Sequence, residues 1–152
     1  MKTNIKKTML FGLMAATLML FSFTSPKGGE SFEIYLNGKM IVQQALYSDK
    51  SVKSLELTST SVNDRLDIYY NHCGQTGKNR TISIKDENGK ILKTWKFADA
   101  SGRSAMTILL KDIYSLEKTS QVKFSIFYSS KELPDGRSLA SVSLSNSNVV
   151  RK

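Results

Sequence analysis

Apolar and polar residues alternate with a period of two along most of the chain after residue 31. This period is typical of half-buried β-strands, because successive side chains of a strand point to opposite faces. The segment SFEIYLN is a clear example, since Phe32, Ile34 and Leu36 share one face. The whole pattern predicts about eight short strands at a spacing of about ten residues.

Tight turns are predicted between several of these strands. The Asn-Gly pairs at 37–38 and 88–89 favour the two positive φ angles of a type I′ turn, so each predicts a β-hairpin. The second hairpin carries Ile91, Trp95 and Phe97 in one phase, and we expect Trp95 to fill the core. The segment LPDGR predicts a further turn, because proline and glycine both favour one.

Helical periodicity is almost missing from the sequence. Only a single helical turn is predicted, with Asp112 as its N-cap. A chain of many short strands folds as two packed sheets or as a barrel. We therefore predict one antiparallel β-sandwich over residues 32–145, with an immunoglobulin-like or other Greek-key topology. The Cys…Trp…Cys arrangement of true immunoglobulin domains is missing, and a closed β-barrel is the alternative.

The first 25 residues predict an export signal. Lys2, Lys6 and Lys7 precede a largely apolar run over residues 9–23, and small and polar residues follow it. A run of about 15 residues is shorter than the about 20 that cross a bilayer as a helix. The pattern predicts a periplasmic or secreted protein with no stable membrane insertion after the signal is cleaved.

The remaining composition is typical of one domain. About 125 residues are enough for one core and too few for two. The net charge of the whole chain is +9, and three of its lysines lie in the signal, so the mature protein carries +6. This charge favours anionic surfaces such as lipopolysaccharide or acidic glycans. The basic residues are scattered, so nucleic acid is not an expected partner. Residues 26–31 are predicted to be a flexible lead and 146–152 a frayed tail.

The residue counts exclude several kinds of chemistry. One histidine and one cysteine cannot build a His₃ or Cys₂His₂ zinc site, a blue-copper site or a CxxC redox pair within one chain. No metal or cofactor is therefore expected. Asp64 and Asp67 are expected to be solvated, which does not favour a carboxylate pair for glycoside hydrolysis.

His72 and Cys73 are adjacent and precede the loop segment GQTGK. Neighbours on a strand point to opposite faces, so the pair has poor geometry for a catalytic dyad. We predict that the strand ends here, that Cys73 is buried under the loop, and that His72 or Asn71 hydrogen-bonds the loop backbone. A small hydrolase using His72, and an intermolecular disulfide through Cys73, are the alternatives.

Aromatic residues on predicted outer faces suggest a binding surface. Such side chains can stack on sugars or cover a partner protein, unless another element of the fold covers them. The predicted binding residues are three aromatics together with three polar residues around the loop, namely Tyr35, Tyr69, Phe127, His72, Lys78 and Arg80.

Four segments resemble a set of small exported all-β proteins of Gram-negative bacteria with no assigned function: FEIYLNGK, IYYNHCGQTGK, ISIKDENGKILKTWKFAD and YSSKELPDGRSLASV. The resemblance implies export and an all-β domain, and it supplies no catalytic residues. We therefore expect a non-catalytic binding or interaction module of the cell envelope, with a protein, peptide or glycan as partner. A structural subunit that joins its neighbours through edge-strand pairing is the alternative.

Overall fold

The computed structural model describes residues 29–59, 61, 63–116 and 123–146, and these form a β-sandwich. The predicted export signal at 1–25 and residues 147–152 of the predicted tail lie outside the described residues. The elements are β1 (Ser31–Leu36), β2 (Lys39–Ala45), β3 (Lys53–Ser59), β4 (Arg65–Asn71), β5 (Arg80–Lys85), β6 (Ile91–Phe97), β7 (Met106–Leu109), α1 (Leu110–Tyr114), β8 (Lys123–Ser129) and β9 (Arg137–Asn146).

Two sheets face each other across the core. The first sheet has the strand order β2-β1-β4-β7, and the second sheet has the order β3-β9-β8-β5-β6. Neighbouring strands are antiparallel except for β3 and β9, which run parallel. In the first sheet β4 lies next to β7, as strand B lies next to strand E in an immunoglobulin domain. In the second sheet β5, β8 and β9 are neighbours in the order of strands C, F and G. The predicted sandwich is confirmed, and the described strands form two open sheets rather than a closed barrel.

Both predicted hairpins are present, but only one has the predicted turn. Asn37 and Gly38 have φ angles of 51° and 80°, as a type I′ turn requires. In the second hairpin Gly89 has a φ angle of 79°, while Asn88 is not left-handed. The Asp86 carboxylate accepts a hydrogen bond of 2.9 Å from the backbone N–H of Asn88 and thereby stabilises a different turn.

In the central strands, the side chains that face the core are those that the sequence predicts. Tightly buried aliphatic and aromatic side chains of both sheets form one apolar core, including Phe32, Ile34, Leu66, Ile68, Ile82, Ile84, Phe124, Ile126, Tyr128 and Val142. Burial of such side chains contributes about 1.5–3 kcal/mol each, which makes this core the main source of stability.

The edge strand β6 departs from its predicted phase. A register shift opposite Ile84 and Lys85 pairs Ile91 with Lys85 on the outer face, so Ile91 is 55% exposed instead of buried. Trp95 is only half-buried against the core, because an edge strand is covered less completely than a central one. It therefore does not fill the core as predicted.

Three acidic residues also differ from prediction. Asp64 and Asp67 are buried rather than solvated. Asp64 accepts hydrogen bonds of 2.9 Å from the side chain of Asn37 and from the backbone N–H of Ser61, and Asp67 accepts one of 2.6 Å from the Thr107 hydroxyl. Asp112 lies within the first turn of α1 and not at its N-cap, because the helix begins at residue 110.

Candidate functional site

Two of the predicted binding residues meet on the outer face of the first sheet. Glu33 and Tyr35 are two residues apart on β1 and so share a face, and Tyr69 of β4 pairs directly with Glu33. The rings of Tyr35 and Tyr69 are 5.5 Å apart between centroids and nearly perpendicular, at 78°. This edge-to-face arrangement is favourable for aromatic pairs, and it brings both phenols to one spot on the surface.

Arg103 comes from the loop between β6 and β7 and covers both rings. Its guanidinium carbon is 4.4 Å from the Tyr69 ring centroid and 5.3 Å from that of Tyr35. Its Nη2 donates to Oε2 of Glu33 at 2.9 Å and to the Tyr35 hydroxyl at 2.6 Å. The hydrogen bond that Arg103 donates to Glu33 raises the pKa of Arg103, so the guanidinium stays charged. We call Glu33, Tyr35, Tyr69 and Arg103 the outer patch.

A depression of about 150 Å³ opens beside the outer patch. Its polar side chains are Ser31 and Glu33 of β1, Tyr69 and Asn71 of β4, and Arg103 of the loop. Sites for drug-sized ligands occupy roughly 300–1,000 Å³. The depression is therefore large enough for one ring-sized unit of a ligand and too small for a whole drug-sized molecule.

The loop that carries Arg103 is fixed to the loop that follows His72. Gly77 and Ala100 exchange two backbone hydrogen bonds of 2.9 Å and 3.0 Å. The Arg80 side chain donates to the carbonyl oxygens of Ala98 at 2.8 Å and Ser104 at 3.1 Å. Arg80 is only 4% exposed, so little of its side chain is available to a ligand. It positions the Arg103 loop instead.

Lys78 and Phe127 lie away from the outer patch. Lys78 is exposed, and its backbone N–H donates to Glu132 at 2.8 Å. That hydrogen bond lowers the pKa of the Glu132 carboxyl. Phe127 is on the outer face of the second sheet, with the Lys85 ammonium 3.2 Å from its ring centroid. The predicted binding residues therefore do not form a single site.

His72 lies inside the protein, in a cluster of polar and aromatic side chains. Its side chain is 3% exposed. Its Nε2 is 2.8 Å from the Tyr128 hydroxyl and 3.3 Å from the Ser130 hydroxyl, and its Nδ1 is 3.3 Å from Oε1 of Glu30. Tyr70 stacks on Tyr128 at 4.2 Å between centroids and donates to Glu30 at 3.1 Å. We call Glu30, Tyr70, His72, Tyr128 and Ser130 the His72 cluster.

The His72 cluster has the order of groups found in a Ser-His-carboxylate triad. However, Ser130 is 6% exposed, and the nearer neighbour of Nε2 is the Tyr128 hydroxyl, whose pKa is raised by burial. Both His72 and Ser130 are almost fully covered, whereas the groups of a working triad must be open to a substrate. We interpret the cluster as a buried polar network that joins the start of β1 to β4 and β8.

The turn after His72 is partly as predicted. Cys73 and Gly74 have φ angles of 59° and 82°, so the strand does end here. Asn71 accepts a hydrogen bond of 3.4 Å from the backbone N–H of Gly74, as expected, whereas the hydrogen bonds of the His72 ring go to other side chains. Cys73 is half-buried rather than buried.

Two residues of the predicted flexible lead also belong to the folded domain. Ser31 begins β1, and the Glu30 carboxylate is held by Tyr70 and lies beside His72. Neither Glu30 nor Arg103 belongs to an alternating pattern, so no local signal in the sequence predicts a role for them. Glu33 could have been identified from the sequence. It lies two residues before the outward Tyr35 on the same strand, so both side chains share one face.

Within the described ranges, no helix has the length and apolar character to cross a membrane. The same residues contain no group of three or more His, Cys, Asp or Glu that could hold a metal ion. Neither a scan against protein-family models nor a search of curated proteins finds a match for the chain.

Proposed function

We propose that the protein is an exported, non-catalytic binding module of the cell envelope, and that it holds one unit of a larger ligand in the depression beside Tyr69 and Arg103. The proposal depends on one observation, which is the convergence of two tyrosines, a guanidinium and a carboxylate beside a surface depression. The lysine-rich start and apolar run of residues 1–25 support export.

The composition of the outer patch supports binding over catalysis. Its carboxylate, on Glu33, is held by Arg103 and by the Tyr35 hydroxyl, at 2.9 Å in each case. A nucleophile needs a base beside it, and one oxygen of this carboxylate is already occupied by the ion pair with Arg103. The patch contains no serine or cysteine next to a base, whereas aromatic rings with charged neighbours are common in binding surfaces.

The small size of the depression supports a polymeric ligand. A volume of about 150 Å³ admits one ring or one side chain. A single unit of this size makes few contacts, so useful affinity requires further units that lie along the sheet or bind to several copies of the protein. Envelope glycans and peptides both offer repeated units of this kind.

A binding titration with matched variants tests the proposal. The purified protein is titrated with soluble oligosaccharides and peptides from envelope digests, and binding is followed by calorimetry. We expect Tyr69→Leu to lower the affinity at least about tenfold, because it removes the ring from the depression. Phe127→Leu, on the opposite face of the sandwich, should leave the affinity unchanged. Equal losses in both variants, or binding that neither variant changes, contradict the proposal.

A second candidate function, assembly through an edge strand, is favoured by one observation on β6. Ile91 and Leu92 are 55% and 37% exposed at the start of this edge strand. Lys93 and Lys96 on the same strand act against pairing, since charges on edges discourage it. Sedimentation of the purified protein distinguishes the candidates. A binding module stays monomeric at high concentration, whereas an assembly subunit forms oligomers that Ile91→Lys disrupts.

A further inference from the structure

We infer that the ligand unit held in the depression is an uncharged sugar ring, recognised through two neighbouring hydroxyl groups. This inference rests on the proposed function and names the ligand class of the same site. It follows from the charge balance of the outer patch, from the hydrogen-bonding atoms that the patch leaves available, and from the position of the depression in the sheet.

The outer patch is locally neutral although the protein is basic. Arg103 and Glu33 form an ion pair with 2.9 Å between Nη2 and Oε2. An anionic ligand at Arg103 would meet the Glu33 carboxylate, and a cationic ligand at Glu33 would meet the guanidinium. Either ligand would be attracted by one member of the ion pair and repelled by the other. A neutral polar ligand carries no such penalty.

The ion pair leaves one acceptor and one donor that can bind a ligand. The hydrogen bonds to Glu33 from Tyr35 and from Nε and Nη2 of Arg103 all end on Oε2. Among the described residues, Oε1 of Glu33 and Nη1 of Arg103 have no hydrogen-bond partner. A hydroxyl group both donates and accepts. Two adjacent hydroxyls can therefore donate one hydrogen bond to Oε1 and accept one from Nη1.

Tyr69 and Asn71 complete the site on the β4 side. The half-buried side chain of Tyr69 lines the depression and gives it apolar ring surface beside Arg103, against which the C–H groups of a sugar can pack. The Asn71 side chain accepts from the backbone N–H of Gly74 through Oδ1, which leaves its Nδ2 as a further donor. The site thus combines an apolar surface with both donors and acceptors, as recognition of a polyhydroxyl ring requires.

The position of the depression does not suit an extended peptide. Peptides often bind by adding a strand to a free sheet edge. The depression lies over β1 and β4, which are the two central strands of the first sheet, so their backbone groups already pair with β2, with each other and with β7. An extended peptide there would find no unpaired strand backbone with which to form hydrogen bonds.

The test is a series of NMR titrations of the purified protein with named probes. Maltotriose and cellotriose are the neutral probes, trigalacturonate is the acidic probe, and tetra-alanine is the peptide probe. We expect a neutral trisaccharide to shift the backbone amides of residues 31–33, 69–71 and 102–103. Prior cleavage of its vicinal diols with periodate should abolish these shifts, because the paired hydroxyls are lost.

Two variants that change the charge of the outer patch test whether Glu33 and Arg103 bind the sugar. Glu33→Gln should weaken binding of the neutral trisaccharide about tenfold or more, because a hydrogen bond to a charged acceptor becomes a weaker one to a neutral amide. The same variant leaves Arg103 uncompensated and should strengthen binding of trigalacturonate. Arg103→Gln should weaken the neutral trisaccharide without strengthening the acidic one. Phe127→Leu should change neither affinity.

Different negative results distinguish the sugar inference from the proposed binding function. If only trigalacturonate or tetra-alanine shifts the amides at the depression, the sugar inference is overturned and the binding function stands. If neither neutral trisaccharide shifts those amides at millimolar concentration, the sugar inference is also overturned. If probes of any class shift only amides elsewhere, both the inference and the proposed function are overturned.

Discussion

The guanidinium carbon of Arg103 lies 4.4 Å from the centroid of the Tyr69 ring, so a loop residue packs over the outer face of the first sheet. A contact of this kind contributes roughly 0.5–1 kcal/mol at an exposed site, which alone does not fix a loop. The loop is fixed by its hydrogen bonds to Gly77 and to the buried Arg80 side chain. The glycine-rich segment after His72 therefore supports the candidate site and does not form it.

Arg80→Lys is expected to lower both stability and affinity. Lysine keeps the charge but cannot reach the Ala98 and Ser104 carbonyls with the planar geometry of a guanidinium. We expect the free energy of unfolding to fall by about 2 kcal/mol, and ligand affinity at the depression to fall as well, because the Arg103 loop is loosened. Urea unfolding and calorimetric titration measure the two effects. The exposed Lys78→Ala is the control, and an unchanged stability of Arg80→Lys would count against this role.

His72→Ala is expected to destabilise the fold without affecting ligand binding. The substitution removes the histidine partner of the Tyr128 hydroxyl and one of the partners of Glu30, which Tyr70 still holds, and we expect this to cost about 2 kcal/mol or more. Urea unfolding measures this loss. Gln75→Ala, at an exposed position of the same turn, should stay within about 0.5 kcal/mol of the native protein. Unchanged stability together with lost binding would instead place His72 in a ligand site.

Alkaline pH is expected to unfold the protein through Tyr70 and Tyr128. Burial, and then the nearby Glu30 carboxylate, raises the pKa of Tyr70 above its ordinary value of 10.0, and burial raises the pKa of Tyr128. The unfolded chain therefore loses these protons at lower pH than the folded protein. The stability from the two phenols is complete below about pH 10 and is lost as the pH rises above it. Urea unfolding at increasing pH should show this decline, and Tyr70→Phe should make it shallower. An identical decline in the variant contradicts this assignment.

Gly136→Ala is expected to be more damaging than Gly38→Ala. Both glycines have positive φ angles, of 64° and 80°. A Cβ atom at residue 136 would overlap the Phe127 ring and lie 2.8 Å from the Tyr128 carbonyl oxygen, while one at residue 38 would meet nothing within 4 Å. Gly38→Ala should therefore cost only the about 1 kcal/mol of a left-handed alanine, and Gly136→Ala clearly more. Thermal unfolding compares the two variants, and equal losses would contradict the close packing at residue 136.

Much of the fold could be predicted from the sequence, because strand periodicity and turn residues are local signals. The alternation in β1 and β8 and the Asn37-Gly38 turn are examples. The parallel pairing of β3 with β9 could not be predicted, since it joins segments about 90 residues apart and leaves no local pattern. The register shift in β6 could not be predicted either, because a bulge can change which face the following side chains occupy without requiring a distinctive residue.

The candidate site was less predictable than the fold. The outward phases of Tyr35 and Tyr69 follow from alternation, but their contact depends on the pairing of β1 with β4. Arg103 belongs to a loop without periodicity, and its position depends on hydrogen bonds from a distant part of the chain. The partnership of Glu30 with His72 spans 42 residues and so has no local signature.

The most direct measurement is a map of backbone amide chemical shifts as the purified protein is titrated with a soluble digest of envelope polysaccharide. The proposed function predicts that the shifted amides cluster at residues 31–33, 69–71 and 102–103, and that Tyr69→Leu removes the shifts. Shifts confined to the free edge of β6, to the surface around Phe127 or to the turn after His72 would contradict it.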